Sequence, residues 1–561
     1  MLASTLHASL DRAAARRPES PVDFPSERRR TTLGALARDS VAAAGALARA
    51  GVRQGDRIGV LCPNEPDFLI ALFAASRLGC AACPLPVPTG PRDAEAYLAR
   101  LGRIARTSDM RHLVLSPGYG GFAEILAGAL PGVTLLPGDA LTGAEAVDAA
   151  DALPPVAEET PVIVQFTSGS TADPKGVELS HANVLACLRA IAEAIELGDR
   201  DSLGMWLPLF HDMGLFATLS ALFAAIPATL WSPVSFVKRP DRWLREFAAS
   251  GSTISASPDF GYAYLTAAVG PDEAAELDLS RWRIAFNGAE TIRRDSVEAF
   301  LERFTPAGFR PGALMTVYGM AEATLAVTFP PLGRAPRWDV VDRVRLATER
   351  VAVPVDEDSP AARPVACVGR PVLGMEVRVA GDGSAEPLPD GRIGEVLIRG
   401  ASVTRGYLMA AGRPQPFEEG GWLRTGDLGY LRAGELYLTG RIKEMIVVRG
   451  ENYYPHDAED LARTHPGVHK QRCVAYADTA PDGSERIVLA AESETASTAG
   501  DDAPRAALEK ELRDLVAAGL GLDAVTVHVV APRTLPRTSS GKFQRLAARD
   551  AVAAAGPASA P

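Results

Sequence analysis

The spacing of hydrophobic residues near the start of the chain predicts alternating helices and strands. Apolar residues recur at helical spacing from Leu33 onward and stop at Gly51. An apolar run DRIGVLC, a helical pattern EPDFLIALFAASRL and a second apolar run CAACPLPV follow in that order. A strand, a helix and a strand in succession are typical of a βαβ unit, in which the two strands lie parallel. We therefore predict an α/β fold with parallel sheets.

The pattern changes twice further along the chain. The α/β alternation continues through RHLVLS, PVIVQF and a helix after Ser180, whereas residues 368–437 show short alternating strands between Gly and Pro turns. Beyond residue 440, short strands and helices such as EMIVVRG and RAALEKELRDLVAAG indicate a small α+β domain. We predict a multi-domain protein with a large N-terminal domain at residues 1–440, in which about 368–437 form a β-rich part. A small mobile α+β C-terminal domain at 441–550 and a disordered tail at 551–561 complete the prediction.

Composition narrows the class of protein. The chain has 561 residues, of which 47% are hydrophobic and 23% charged, as in ordinary globular proteins. A formal net charge of -11 argues against a nucleic-acid partner. Six scattered cysteines favour a reducing, cytoplasmic location. The most apolar region, residues 215–236, is broken by Pro227, so we expect no membrane span.

A CxxC pair and a loop of small residues are the first candidates for chemistry. Cys80 and Cys83 lie in an apolar run, which favours a buried strand over a redox or zinc site. The strand PVIVQF runs into a second segment whose small residues, hydroxyls and lysine suit an anion. These candidate phosphate-binding residues are Thr167, Ser168, Gly169, Ser170, Thr171 and Lys175. The Gly-Lys-Ser/Thr sequence of P-loop enzymes is absent, and the alternative is a polar connector between strand and helix.

This loop carries a family resemblance. The string FTSGSTADPKGV resembles the signature loop of the adenylate-forming superfamily, which includes acyl-CoA synthetases, nonribosomal adenylation domains and firefly-type luciferases. VYGMAEAT, LRTGDLGYL, GRIKEMIVVRGENYYP and LPRTSSGKFQR resemble the other superfamily motifs and follow in the family order. The resemblance implies an enzyme that activates a carboxylic acid with ATP and Mg²⁺.

The resemblance also implies a role for each matching residue. Tyr318 would stack on adenine, Asp427 would accept hydrogen bonds from the ribose hydroxyls, and Glu322 would hold Mg²⁺. Lys542 would reach the α-phosphate and the attacking carboxylate oxygen, and Lys443 would be the hinge of the mobile C-terminal domain. The remaining implied nucleotide contacts are Asn287, Gly288, Ala289, Glu290, Gly319, Met320 and Arg441. Taken singly, these positions would be a core aromatic, solvated acids and a solvated lysine.

A second set of strings narrows the branch. WLPLFHDMGL, SPVSFVKRPDRWL, SPDFGYAYL and RIAFNGAETI resemble fatty acyl-AMP ligases, which load acyl groups onto acyl carrier proteins. His211 is then a catalytic candidate where the acyl carboxylate meets the α-phosphate, although a core histidine is the alternative. The implied acyl-pocket residues are Met213, Gly214, Asp259, Phe260 and Leu325.

Asp259 departs from this pattern, because family members usually carry Asn there. An ionised acid beside an apolar tunnel is costly unless it is paired. We expect its side chain to face solvent. The alternative is that it meets a polar or cationic group on the substrate.

The segment after Glu322 supports the same branch. It runs 47 positions to Gly369, and acyl-AMP ligases carry an insertion at this place. We expect its apolar residues to pack on the large domain, and the alternative is a tolerated surface loop. Those residues are Val340, Val341, Val344, Leu346 and Val351.

These features lead to one preferred function and three alternatives. We expect formation of acyl-AMP and pyrophosphate, then transfer of the acyl group to the phosphopantetheine thiol of a holo acyl carrier protein. CoA as acceptor, a catalytically silent nucleotide sensor and a luciferase are the alternatives. The basic residues Lys238, Arg239, Arg242 and Arg245 are either a docking surface for an acidic carrier or a solvated helix face.

Overall fold

The structure is a computed structural model. It describes residues 2–88, 94–141, 153–166, 175–408, 417–448, 451–479, 485–497, 503–522, 525–537 and 543–554. These residues form two compact units. Unit 1 contains residues 1–336, 369–376 and 398–417, and unit 2 contains residues 337–368, 377–397 and 418–561.

The helices of unit 1 come in chain order before those of unit 2. Unit 1 has α1 Leu6–Arg16, α2 Leu33–Arg49, α3 Pro66–Arg77, α4 Ala94–Thr107, α5 Ala123–Ala129, α6 His181–Ala194, α7 Asp212–Ala224, α8 Pro233–Lys238, α9 Pro240–Ser250, α10 Asp259–Ala268, α11 Pro271–Ala275 and α12 Arg294–Phe304. Unit 2 has α13 Arg343–Thr348, α14 Pro455–Arg463, α15 Ala503–Leu520 and α16 Arg545–Ala554. In the part of the chain that is described, no helix is both long and apolar enough to cross a membrane.

The strands are numbered in the same way along the chain. The first group is β1 Pro21–Phe24, β2 Arg29–Thr32, β3 Arg57–Leu61, β4 Ala81–Pro84, β5 His112–Leu115, β6 Thr134–Pro137, β7 Pro161–Phe166, β8 Gly176–Ser180, β9 Leu203–Met205, β10 Ala228–Leu230, β11 Ile254–Ser257, β12 Ile284–Asn287, β13 Leu314–Thr316, β14 Tyr318–Gly319 and β15 Ala326–Phe329. The second group is β16 Trp338–Asp342, β17 Ala362–Ala366, β18 Arg370–Pro371, β19 Met375–Ala380, β20 Gly394–Gly400, β21 Tyr407–Leu408, β22 Phe417–Glu418, β23 Trp422–Arg432, β24 Glu435–Arg441, β25 Ile446–Val448, β26 Glu451–Tyr453, β27 Cys473–Thr479, β28 Glu485–Glu492 and β29 Thr526–Val530.

Unit 1 confirms the predicted α/β class. One seven-stranded sheet has the order β13–β12–β11–β9–β10–β1–β2 and is parallel except for the pair β1–β2. A second has the order β21–β8–β7–β4–β3–β5–β6, parallel from β7 to β6. The predicted βαβ unit is β3–α3–β4, and α3 is buried along its whole length. Cys80 and Cys83 are buried there, as the strand prediction required.

Local chemistry fixes the start of the helix that follows the phosphate-loop segment. The Ser180 hydroxyl accepts a hydrogen bond from the Asn183 amide, and the Asn183 side chain accepts one from the Ser180 amide. This reciprocal pair satisfies amide groups that the first turn leaves open. Helix α6 therefore begins at His181, close to the sequence prediction.

Unit 2 has two hydrophobic cores that matter for function. Strands β16 and β17 form an antiparallel hairpin, and with α13 they pack on Leu428, Tyr430, Tyr437 and Tyr454. Strands β27, β28 and β29 form a sheet that is covered by α14 and α15. The boundary predicted at residue 440 does not coincide with a division between the two units, and it remains a prediction about movement.

The insertion is a folded element, which corrects the surface-loop alternative. Val341 and Leu346 are buried, whereas Val344 on the outer side of α13 is 45% exposed. Val340 and Val351 are partly buried. The partners of the buried side chains are strands β23 and β24 and residue Tyr454 of unit 2. Leu428, Tyr430 and Tyr437 lie within the predicted large domain of residues 1–440, so these contacts agree with the expected packing, whereas Tyr454 lies beyond that boundary.

Candidate active site

Three parallel strands of unit 1 bring the predicted nucleotide segments to one edge. Strands β11, β12 and β13 are neighbours, and their register pairs Ser257 with Asn287 and Asn287 with Thr316. The carboxyl ends of neighbouring parallel strands form the usual ligand crevice of an open α/β sheet. The stretch Asn287–Glu290 and Tyr318 follow directly after these ends, so the structure places them at the same crevice.

The backbone at this edge is closely packed. A Cβ at Gly319 would overlap the carbonyl oxygen of Leu325, and one at Gly288 would lie 2.8 Å from the carbonyl oxygen of Val317. Ala289 has a φ of 69°, in the left-handed region that non-glycine residues seldom occupy. Strained backbone of this kind is often found at ligand sites.

Tyr318 lies between this backbone and an apolar cavity. Its ring lines the cavity, and its hydroxyl lies 3.6 Å from the Met320 Sδ. The aromatic ring thus lies at the junction of the crevice and the cavity. An aromatic ring at such a junction suits stacking on adenine or contact with the group where an acyl chain joins a phosphate.

Glu322 is held by a tyrosine that the sequence motifs did not reveal. The Tyr407 hydroxyl donates to the Glu322 Oε1 at 2.8 Å, and the Lys175 Nζ lies 5.7 Å from the centre of the Tyr407 ring. Burial, followed by the negative charge of Glu322, raises the pKa of Tyr407, so the hydroxyl stays a donor. No sequence spacing connects these residues, because β21, which carries Tyr407, pairs with β8, whose first residue follows Lys175.

The donor set fits Mg²⁺ in one specific way. Among the residues that the structure describes, no group of three or more His, Cys, Asp or Glu side chains could hold a metal ion. Mg²⁺ usually takes one or two protein carboxylates and completes its shell with water and substrate phosphates. Glu322, a partly exposed carboxylate oriented by Tyr407, is compatible with that arrangement.

His211 stands at the entrance of helix α7. It is the residue that precedes the helix, and its ring centre lies 4.8 Å from that of Phe210. The Phe210 carbonyl accepts a hydrogen bond from the Gln165 Nε2 at 2.7 Å, near the end of β7. His211 is only partly buried. Gly214 allows the helix to approach this turn, because a Cβ there would overlap the Pro208 carbonyl oxygen.

The apolar cavity lies between the sheet and helices α6 and α7. It encloses about 760 Å³ of empty space, counting its open mouth. Its lining includes Met213 and Leu325, two of the residues implied for the acyl pocket, together with Gly288, Ala289 and Tyr318 from the crevice. The other lining residues are Ile191, Ile195, Leu197, Leu203, Asp212, Ala217, Ser220, Ala221, Ile226, Ile254, Ala256, Phe286, Val317, Gly319, Ala326 and Phe329. Gly214, Asp259 and Phe260 are not among them.

The solvent-facing prediction for Asp259 is wrong. Its side chain is only 3% exposed, because it lies at the start of α10 beneath α12. It accepts hydrogen bonds from the Ser296 hydroxyl at 2.6 Å and the Asn287 Nδ2 at 3.0 Å. The Arg293 backbone amide donates to it at 3.3 Å. Burial raises the pKa of Asp259, and these donors partly offset the effect. Asp259 thus holds the Asn287 side chain, at the carboxyl end of β12, through a hydrogen bond.

Glu290 and Phe260 also belong to this supporting layer. The Glu290 Oε1 accepts a hydrogen bond from the Phe260 amide at 2.7 Å. The Phe260 ring lies edge-on to Trp206, with 6.0 Å between the ring centres. The structure therefore shows both residues supporting the crevice loop.

Two predicted residues form an ion pair within unit 2. The Arg441 Nε lies 2.7 Å from the Asp427 Oδ1, and strands β23 and β24 place the two residues opposite each other. The Asp427 side chain is buried, and that of Arg441 is 60% exposed. Lys443 lies in an exposed turn between β24 and β25, and the adjacent Glu444 pairs with Arg545 at 2.8 Å.

The remaining sequence predictions have different outcomes. Thr167, Ser168, Gly169, Ser170, Thr171 and Lys542 lie outside the described residues. The basic surface near α8 and α9 is largely neutralised, because Arg239 pairs with Asp241 at 2.8 Å and Arg242 with Glu246 at 2.7 Å. Arg245 pairs with Glu273 at 3.2 Å. These pairs favour the solvated helix face over the docking surface.

The fold and the site of unit 1 define a class of enzyme. A crevice at the ends of parallel strands, a carboxylate suited to Mg²⁺ and an apolar cavity that opens into the crevice are compatible with the joining of an apolar acid to a nucleotide. The family model described as AMP-binding enzyme matches residues 10–408. The chain belongs to this family, and it is an adenylate-forming enzyme.

Individual relatives are similar over nearly the whole chain. A putative acyl-CoA synthetase of Caulobacter vibrioides is 34% identical, covering 92% of this chain and 90% of the relative. The long-chain-fatty-acid–AMP ligase FadD32 of Mycolicibacterium smegmatis is 33% identical, with 89% and 85% covered. The medium-chain-fatty-acid–[acyl-carrier-protein] ligase JamA of Moorena producens is 31% identical, with 89% and 86% covered. A solved structure from studies of fatty acyl-adenylate ligases of E. coli and L. pneumophila has a TM-score of 0.89 at 29% identity and covers 99% of both chains.

Proposed function

We propose that the protein activates a fatty acid with ATP and transfers the acyl group to the phosphopantetheine thiol of a holo acyl carrier protein. In the first step a carboxylate oxygen attacks the α-phosphorus, so that acyl-AMP forms and pyrophosphate leaves. In the second step the thiol attacks the acyl carbonyl carbon, so that a thioester forms and AMP leaves. The observation that carries the proposal is the apolar cavity that ends at Gly288, Ala289 and Tyr318.

The residues of unit 1, together with Lys542, divide the first step between them. The cavity excludes water from the acyl chain, and its mouth directs the carboxylate toward the crevice beside His211. Tyr318 and the stretch Asn287–Glu290 hold the adenine, and the loop that begins after Phe166 binds the phosphates. Glu322 would hold Mg²⁺, which would supply positive charge to the phosphates. Lys542 supplies the donor to the charge that develops on the α-phosphate.

Residues of unit 2 add to this assignment on the strength of their motifs. Asp427 accepts hydrogen bonds from the ribose hydroxyls. Arg441 holds the Asp427 carboxylate in place through their 2.7 Å contact. Lys443 is the hinge about which residues 441–550 turn after adenylation. Its exposed position in a short turn supports this role, because hinges are a few residues at the ends of elements.

The insertion supports a carrier protein rather than CoA as the acceptor. Arg363 on β17 contacts the Asp457 Oδ1 at 3.1 Å and donates to the Thr439 carbonyl at 2.7 Å. Its guanidinium also lies 4.5 Å from the centre of the Tyr454 ring. Asp457 and Tyr454 follow the hinge, whereas Arg363 and Thr439 precede it. This buried link restrains rotation at Lys443, and a tethered thiol at high effective concentration tolerates that restraint better than free CoA does.

The relatives support both acceptors to different degrees. The names of FadD32 and JamA state an AMP ligase and a carrier-protein ligase, whereas the Caulobacter relative is named for a CoA product. CoA is therefore the second candidate acceptor.

Thioester formation on CoA and on holo carrier protein separates the two candidates. We expect much faster transfer to the carrier, and a gain of CoA transfer when residues 337–356 are trimmed or when Arg363→Met breaks the buried link. Arg345→Ala is the matched control, because Arg345 lies in the same insertion but makes an exposed pair with Glu349. Efficient CoA thioester formation by the unaltered enzyme would refute the carrier assignment.

A further inference from the structure

The apolar cavity extends along β11 and β12, from the crevice to the opposite edge of the sheet. Gly288 and Ala289 line its end at the crevice, beyond the carboxyl end of β12. At its other end lie Leu203 and Ile254, which are paired in register at the first residues of β9 and β11. Ile195, Leu197 and Ile226 line the cavity at the same level, in the connections after α6 and α7. We refer to the segment from Ile195 to Leu203 as the cavity floor.

Two elements along the cavity measure its length. Gly288 lies four residues beyond Ile284, which pairs with Ile254 on the floor level. Four strand residues span about 13 Å at about 3.3 Å each. On α7, the lining residues Met213 and Ala221 are eight positions apart, or about 12 Å at about 1.5 Å per residue. A carbon–carbon bond of about 1.5 Å at an angle of about 111° advances an extended chain by about 1.25 Å. The cavity therefore accommodates about ten carbons.

An ion pair between the buried Asp201 and the partly exposed Arg283 holds the floor in place. The Arg283 Nε and Nη2 both lie 2.7 Å from the carboxylate oxygens of Asp201. The Arg283 Nη1 also donates to the Ile195 carbonyl at 2.8 Å. Burial raises the pKa of Asp201, but the hydrogen bonds from Arg283 and the Gly198 amide outweigh it, so the net pKa is lowered and the acid stays ionised.

This geometry joins two positions of the floor, Ile195 and Asp201, to a single side chain. Arg283 precedes β12, one of the strands that line the cavity, so it ties the floor to the sheet. Bidentate pairing fixes orientation as well as distance. Leu197, between the two anchored positions, lines the cavity and is only partly buried.

We propose that the floor held by Arg283 and Asp201 sets the acyl chain length, and that the enzyme selects medium-chain acids of about ten carbons. The proposal rests on the function proposed above and specifies its substrate class. Arg283 is a positioning residue, since it acts through the floor and does not touch the acyl chain. Ala221 and Leu197 are the residues that meet the end of the chain.

Phe329 offers a competing exit for longer chains. Its ring lines the cavity and also a second groove that is formed by residues such as Pro331, Arg370 and Leu373. Leu373 in that groove is 52% exposed. A chain that passed Phe329 would leave the cavity sideways and would be insensitive to the floor.

The test is the rate of pyrophosphate release with saturated acids from hexanoic to octadecanoic acid. Each buried methylene is worth about fourfold in affinity, so the wild-type kcat/KM should rise to decanoic acid and then fall. Leu197→Ala should raise kcat/KM for tetradecanoic acid relative to that for decanoic acid at least about tenfold. The effect on kcat/KM for hexanoic acid should be the smallest, because that chain ends short of Leu197. Ala221→Phe fills space equal to about three methylenes. It should therefore lower kcat/KM for decanoic acid relative to that for hexanoic acid by about 60-fold.

Arg283 is tested through the same ratio. Arg283→Met should extend the profile as Leu197→Ala does, and Arg283→Lys should restore it in part. If Arg283→Met fails to fold because Asp201 is left unpaired, the Leu197 and Ala221 variants still decide the matter. A wild-type optimum at sixteen or more carbons, an unchanged ratio in Leu197→Ala, or extension by Phe329→Ala alone would overturn the proposal. Absence of pyrophosphate release with every acid would refute the proposed function itself. Calorimetric binding of decanoic and tetradecanoic acid separates this failure from failure of the chain-length proposal, because it measures the preference of the cavity without the reaction.

Discussion

Replacing Tyr407 with phenylalanine tests the metal role of Glu322. The change removes only the hydroxyl that donates to the Glu322 Oε1 at 2.8 Å, and it keeps the ring that lies 5.7 Å from the Lys175 Nζ. A hydrogen bond to a charged group contributes about 1.5 to 3 kcal/mol. We therefore expect the concentration of Mg²⁺ needed for half-maximal activity to rise by about 10- to 150-fold.

The assay is pyrophosphate release over a Mg²⁺ titration at saturating ATP and acid. The expected result is a shifted midpoint with much of the maximal rate recovered at high Mg²⁺, because the carboxylate itself remains. Tyr430→Phe is the matched control, since the Tyr430 hydroxyl donates to the Asp339 carboxylate at 2.6 Å within unit 2. A Mg²⁺ midpoint that is the same in Tyr407→Phe and in the wild type would refute the assignment of Glu322 to the metal.

Three further variants test other parts of the site. Lys542→Ala should lower adenylation by about 10² to 10³ but leave transfer from supplied acyl-AMP largely intact, and unchanged pyrophosphate release would contradict its role. Asp427→Ala should raise the KM for ATP by about 10- to 150-fold with little effect on the KM for the acid. Unaltered calorimetric binding of ATP to this variant would contradict the ribose-binding role of Asp427. Burial raises the pKa of Asp259 in the folded state, so the folded protein holds this proton more tightly than the unfolded chain does. The folded protein therefore loses stability as the pH rises from the pKa of the unfolded state, about 3.9, to the pKa of the folded state. Asp259→Asn cannot ionise, so its urea-unfolding free energy relative to wild type should increase across that interval and level off above it; a constant difference would contradict the burial argument.

The sequence was informative where chemistry is local. Tyr318, Gly319 and Glu322 lie within five residues, and the glycine is required by a close backbone approach that a short string can encode. The α/β class followed from one βαβ pattern, because helix and strand periodicities differ within a few residues. These features were predictable without any knowledge of long-range contacts.

Long-range contacts account for what the sequence did not reveal. Asp259 was expected to face solvent because its partner Ser296 is 37 residues away on another helix. Tyr407 was missed because only the pairing of β21 with β8 brings it to Glu322. The sequence left the arginines of α9 as either a docking surface or a solvated helix face, and their acidic partners lie at the next helical turn or on a neighbouring helix.

The division of unit 2 into three chain segments has a consequence for fragments of the enzyme. Val341 and Leu346 of the insertion share a core with Tyr454, which follows them by more than a hundred positions. A protease cut or a stop codon after residue 440 would remove Tyr454 and Asp457, and it would leave an open apolar surface and the buried Arg363 without its acid. Such a shortened polypeptide should aggregate unless the missing C-terminal piece is supplied in trans, so separately expressed halves should be recovered in soluble form only together.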